Sequence, residues 1–177
     1  MSLKLITPAH HYQPSFQGYI QELGEEERYP FVLDLDATDF EAYLIRLQEI
    51  EQGTNLPTGH MPSSTYWLME DDELIGVSNL RHGLNDTIRH LGGHIGLSIR
   101  PSRRGQGLSK ILLQQTIDKA SAMGIESLHI HCYRHNTASA RMIMACGGVL
   151  ESEVILEQES ESKIVQRYLC AVSSTRQ

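Results

Sequence analysis

Residues 94 to 114, HIGLSIRPSRRGQGLSKILLQ, carry the densest chemistry in the chain. An apolar run ends at Arg100-Pro101, two arginines and two glycines follow, and a helical pattern starts at once. Gly105 and Gly107 have no Cβ, so the backbone there can approach a ligand closely. The first amides of a helix have no intrahelical acceptor, and the helix dipole places positive potential on them. Successive N–H groups of Arg104, Gly105, Gln106, Gly107, Leu108 and Ser109 are therefore set to cradle a pyrophosphate. Arg100, Arg103, Arg104 and Lys110 add full charges nearby. A dinucleotide fingerprint would need a third glycine where Lys110 stands, and a P-loop would need Gly-Lys-Ser/Thr after four spacers. A lone Gly-x-Gly would be no more than a tight turn; the flanking arginines point to an anion.

Several elements must position this loop. Lys4–Thr7 reads as a short strand. Pro14–Leu23 and Asp39–Glu51 read as amphipathic helices, the second capped by Asp39. Thr65–Met69 and Leu74–Leu80 form a hairpin around the acidic turn Glu70-Asp71-Asp72-Glu73. Gly92–Ile99 is the strand that feeds the loop, and Gly105–Met123 the helix that leaves it, stopped by Gly124. Ser127–Tyr133 is a strand with Leu128, Ile130 and Cys132 on one face and His129, His131 and Tyr133 on the other. Thr137–Cys146 is a helix opened by Asn136, and Val149–Glu157 and Lys163–Val172 are two last strands. This order predicts an α/β chain, a mixed sheet with helices on its faces. No repeat or linker divides it, so residues 1–177 read as a single domain.

Bulk properties narrow the function. The chain has 177 residues, with 40% hydrophobic and 21% charged, which excludes extensive disorder. No apolar run approaches the ~20 residues of a membrane span, and Met1–Ala9 has no apolar leader core. Three cysteines without a Cys-x-x-Cys pair suggest a reduced, cytoplasmic protein with no metal site. The net charge of −7 argues against nucleic-acid binding. Residues 81–141 hold nine Lys+Arg and three Asp+Glu, a balance of +6, which leaves −13 elsewhere. A basic middle suits a locally held anion.

The loop Ser102-Arg103-Arg104-Gly105-Gln106-Gly107 resembles the pyrophosphate motif of GNAT-type N-acetyltransferases, [Gln/Arg]-x-x-Gly-x-[Gly/Ala], with Ser102 departing at the first position. The segment HIHCYRHNTASARMIMACGGVLES resembles the family's next strand and helix, with Asn136, Ser139 and Gly147 where its pattern asks. The string from Leu80-Arg81-His82 through GGHIGLSIRPSRRGQG is similar, more narrowly, to a group of bacterial predicted acetyltransferases. The resemblance implies a GNAT-like acyl-CoA N-acyltransferase fold: a central, mostly antiparallel sheet with a splayed parallel strand pair and helices on both faces. It implies acetyl-CoA as cosubstrate, no metal, and a homodimer as one state of assembly.

By the same resemblance, the pantetheine arm would lie between Gly92–Ile99 and Ser127–Tyr133 and pair with backbone groups near Leu97 and Ile99, as an added strand does. The Leu97 N–H would polarise the thioester carbonyl, and Asn136 and Ser139 would contact the pantetheine or phosphate arm. An alkyl amine with a pKa near ~10.4 must lose a proton before it attacks. Related enzymes often carry a glutamate base five residues before the asparagine, and His131 stands there; His94 on the preceding strand is the second candidate. Many relatives have a tyrosine seven residues after the asparagine to protonate the leaving thiolate. Here that position is Ile143, so Tyr133 or solvent would take the role. The acceptor side would be built from the N-terminal helices, the loop after them and the last hairpin, which carry Glu22, Glu25, Glu26, Glu27, Asp34, Asp36 and Asp39, then Glu151, Glu153, Glu157, Glu159 and Glu161. That field suggests a small cationic amine; a protein lysine or N-terminus, or a non-catalytic acyl-CoA sensor, are the competing readings.

Overall fold

The computed structural model describes residues 2–158 and 160–172, so Glu159 lies outside the described residues. Strands β1 (Leu3–Ile6), β2 (Ser63–Glu70), β3 (Glu73–Arg81) and β4 (Ile95–Ile99) form one antiparallel sheet in that order. β2 and β3 are buried almost from end to end, as central strands covered on both faces must be. Alternation sends Trp67, Met69 and Val77 to one face and Leu68 and Ile75 to the other.

On the first face lie α1 (Gln13–Leu23) and α2 (Phe40–Gln52). They bring Phe16, Tyr19, Phe40 and Tyr43 against Trp67. α2 starts where Asp39 accepts the amide of Ala42 at 3.1 Å and stops at left-handed Gly53. On the other face α3 (Leu108–Ala122) seats Leu108 and Leu112 against Leu68, Ile75 and Ile99.

A second antiparallel sheet holds β5 (Ser127–Tyr133), β6 (Gly148–Leu156) and β7 (Lys163–Ala171), in the order β5-β7-β6. Helix α4 (Thr137–Ala145) packs Ala140 and Ile143 onto it, in a core shared with Leu113 and Ile117 of α3. The sheet divides at the expected splayed pair: each part is laddered within itself, and the two meet where β4 and β5 lie against each other. The strand expected from Gly92 begins three residues later. Ile88–Gly92 is a wide, π-helical turn, and Gly93 follows with φ of 70°.

Candidate active site

β4 and β5 are pinned at one point and part beyond it. The His94 amide donates to the His129 carbonyl at 2.7 Å, and the His129 amide donates back to His94 Nδ1 at 2.9 Å. Gly93 makes this approach feasible: a Cβ there would lie 2.6 Å from the His129 carbonyl oxygen. Past the pin, both strands keep backbone groups turned to the gap. On β4, His94 accepts from Arg81 and Arg100 donates to Ile75, so even-numbered residues face β3 and Leu97 faces away. On β5, Arg134 donates to Ile164 and Val172 to Glu126, so His131 faces the gap. An extended ligand arm can pair with either edge.

The gap is a cavity of about 350 Å³. Its walls include Leu97, His131, Tyr133, Asn136 and Ser139, which the sequence reading had assigned to one site. A wider, open hollow of about 690 Å³ beside Arg134 and Lys163 contains none of them.

His131 is 7% exposed. Its Nδ1 lies 3.0 Å from the Leu91 carbonyl oxygen, which can only accept, so Nδ1 carries the hydrogen. Nε2 is then a bare lone pair, and it is buried without a protein partner. Burial depresses the His131 pKa, which the Leu91 bond partly opposes and the neighbouring His129 reinforces. His94 is arranged differently. Its Nδ1 is committed to the His129 amide, and burial, with His129 beside it, pushes its pKa down to about 4. It does not line the cavity.

Tyr133 lies at the cavity wall with its ring stacked on His135, 5.3 Å between centroids, and with Lys163 Nζ 5.0 Å from its centre. Cys132 also reaches the cavity, but burial raises its thiol pKa to about 11, so it stays a neutral thiol. Ile143 is 1% exposed and packs in the core, so α4 offers no acid here.

The glycine loop follows β4 directly. Gly105 and Gly107 have φ of 78° and 75°, the left-handed region that disfavours side chains, and a Cβ at either would meet open space. Among the described residues the amides of Gly105, Gln106 and Gly107 meet no protein acceptor, and α3 opens at Gly107 with no side-chain cap. The Arg104 amide is different, since it closes a turn on Pro101 at 3.4 Å. The Ile99 carbonyl is also occupied, by Arg104 Nε at 3.0 Å. Asn136 caps α4 by accepting the Ser139 amide at 3.1 Å, which leaves its NH₂ to the cavity.

The arginines do not collect around the loop's amides as expected. Arg100 binds Glu22 at 2.7 Å, Arg103 binds Glu70 and Glu73, and Arg104 binds Glu26 through two bonds of 2.9 and 3.0 Å. Each guanidinium finds a carboxylate on α1, on the loop after it or at the β2–β3 turn, so these side chains brace the loop from outside. Two other residues at the cavity, Tyr29 and Arg81, carried no sequence-based role, and Glu27 of the expected acidic acceptor side also reaches it. Tyr29 keeps 45% of its surface exposed, yet its phenol end packs over Gly96, where a Cβ would lie 2.9 Å from Oη. Burial of that end raises its pKa. The signal was the run Tyr29-Pro30-Phe31 inside an otherwise acidic stretch.

The model of the acetyltransferase (GNAT) family matches residues 19–147. This chain belongs to the GNAT acetyltransferase family. It is therefore an acetyl-CoA-dependent N-acetyltransferase, and residues 19–147 include the glycine loop, His131 and Asn136. No curated protein matches the chain by sequence. Among solved structures, a GNAT acetyltransferase from Streptococcus pneumoniae is 17% identical with a TM-score of 0.68, covering 97% of this chain and 100% of its own. YncA from Salmonella typhimurium, solved with its cofactor acetyl-CoA, is 14% identical with a TM-score of 0.66, covering 100% and 98%. The dodecameric spermidine N-acetyltransferase of Vibrio cholerae is 14% identical with a TM-score of 0.66, covering 96% and 93%. At such identities the likeness is one of fold.

Proposed function

We propose that this GNAT enzyme acetylates the primary amine of a small molecule, by direct attack within a complex of enzyme, acetyl-CoA and acceptor. The observation that carries the reading is the His131 ring: one nitrogen tied to Leu91, the other an unpartnered lone pair beside the gap between β4 and β5. A neutral imidazole with a free Nε2 is the form a general base requires. Its lowered pKa keeps that form populated at neutral pH.

The residues fit acetyl-CoA. The unpaired amides of Gly105, Gln106 and Gly107, with the first turn of α3, suit a diphosphate. The open edges of β4 and β5 suit the pantetheine arm, and the Asn136 amide suits its carbonyls. Bound acetyl-CoA supplies the activated acetyl group. The chain's part is to hold it, to offer the Leu97 N–H to the gap, and to receive at His131 Nε2 the proton that the acceptor ammonium sheds. The new N–C bond forms as the C–S bond breaks, the attacking nitrogen gives its second proton to solvent, and the thiolate takes a proton from Tyr133 or solvent. His94 serves as the pin that sets the splay.

A small acceptor is supported by the limited cavity and by Tyr29 folded against Gly96 at its side. The spermidine enzyme of the same fold is consistent with an amine of that size. Three free cysteines suit a reducing compartment, the cytoplasm. The test is a panel of small amines and peptides with acetyl-CoA, read by thiol release and by mass of the product. Turnover of peptides alone would transfer the reading to protein acetylation. CoA binding with no thiol release across the panel would leave a sensor.

A further inference from the structure

Arg81 stands at the end of β3, partly buried, and lines the same cavity as His131. Its Nη1 donates to the Gly93 carbonyl at 2.9 Å, and its guanidinium carbon lies 6.0 Å from the centre of the Phe31 ring. These contacts fix the fork in place. They leave Nε and Nη2 without a protein acceptor among the described residues, and neither atom is fully buried. Among the described residues no carboxylate is paired with Arg81, whereas Arg100, Arg103 and Arg104 each have at least one. A partly buried guanidinium without a counter-charge is costly, and its planar fork matches an oxyanion with two oxygens. Glu27 lines the cavity too, so groups of both signs face it.

We propose that Arg81 is a specificity residue: the acceptor carries an anionic group, a carboxylate or a phosphate, which the Arg81 fork binds while the amine is presented to His131. The acceptor is then an amino acid or a phosphorylated amine and not a polyamine. This rests on the acetyl-transfer reading, because it assumes that the amine and His131 meet in the same cavity.

The experiment uses the full chain saturated with CoA and isothermal titration with matched ligands: L-lysine against cadaverine, phosphoethanolamine against ethanolamine, and spermidine alone. The expected result is that the anionic member of at least one pair binds ten times more tightly or better. Arg81→Met should cut that ratio below threefold, and Arg81→Lys should retain part of it. The lysine and phosphoethanolamine arms tell carboxylate from phosphate. Ratios near one in both pairs, no anionic member binding at millimolar levels, tightest binding by spermidine, or a ratio that survives Arg81→Met would each overturn the proposal. Thiol release with acetyl-CoA is measured on the same ligands. Anion-dependent binding without thiol release would sustain the Arg81 site and remove the transferase reading. Thiol release from the cation-only amines alone would do the reverse.

Discussion

His131 gives one ring nitrogen to Leu91 and keeps the other bare, and this asymmetry sets what its variants do. Loss of a positioned base costs roughly 10²- to 10⁴-fold in rate. His131→Ala should lower kcat in that range and leave the CoA dissociation constant within about threefold, measured by thiol release and by titration. The pH profile gives a separate check. The His131 pKa is depressed in the folded protein, so the imidazole is neutral above it and the proposed base is lost as pH falls through it. The acid limb of kcat/KM should therefore lie below the ordinary histidine value of about 6.5, and His131→Ala should flatten it. In the sequence, the family resemblance pointed to His131 as the proposed base from its place five residues before Asn136. Its tautomer was not legible, because the Leu91 carbonyl that fixes it comes from a turn forty residues earlier. Arg81 and Tyr29 were opaque for a related reason: each owes its place to contacts with Gly93 or Gly96 that no local pattern encodes.

At the scale of elements, the β4–β5 pin and the glycine loop respond in opposite ways to added side chains. Gly93 has a left-handed φ and a carbonyl in the space a Cβ would fill. Gly93→Ala should cost roughly 2–3 kcal/mol or more in urea unfolding, because both backbone strain and a backbone clash oppose it. Gly107 has the same sign of φ but open space around it. Gly107→Val should cost only the strain, about 1–2 kcal/mol, while weakening CoA binding at least tenfold in titration. Most elements were readable from periodicity and caps: β5 lies where its alternation put it, and α2 and α4 start at Asp39 and Asn136. The division of the sheet was not readable from the residues alone. The residues of β4 and β5 alternate as those of any paired strands do, and their separation depends on how two distant sheets twist apart.

Over the whole molecule, charge and protonation link the parts. Folded His94 has a pKa of about 4 against an unfolded value near 6.5. Between those values the unfolded chain binds the extra proton, so the stability that neutral His94 contributes is full above pH 6.5 and is lost as pH drops towards 4. At 1.36 kcal/mol per decade of proton affinity, the loss approaches about 3 kcal/mol. Urea midpoints from pH 7.5 to 4.5 should fall accordingly, and His94→Gln should reduce the slope. The partition of charge along the sequence indicated a local anion site but misplaced the arginines. Glu22, Glu26, Glu70 and Glu73, counted there in the −13 outside residues 81–141, lie against Arg100, Arg104 and Arg103 in space. Counting along a chain cannot show which opposite charges folding will pair.

The seam between β4 and β5 also bears on how the enzyme keeps in solution. Strand edges that lack a neighbour are templates for other chains, and this protein has two of them facing each other across a narrow slot. A tethered cosubstrate seated there, as proposed, would act as a stopper as well as a donor. Storage without it should favour slow clumping at high protein concentration, and a modest excess of CoA should hold the preparation clear.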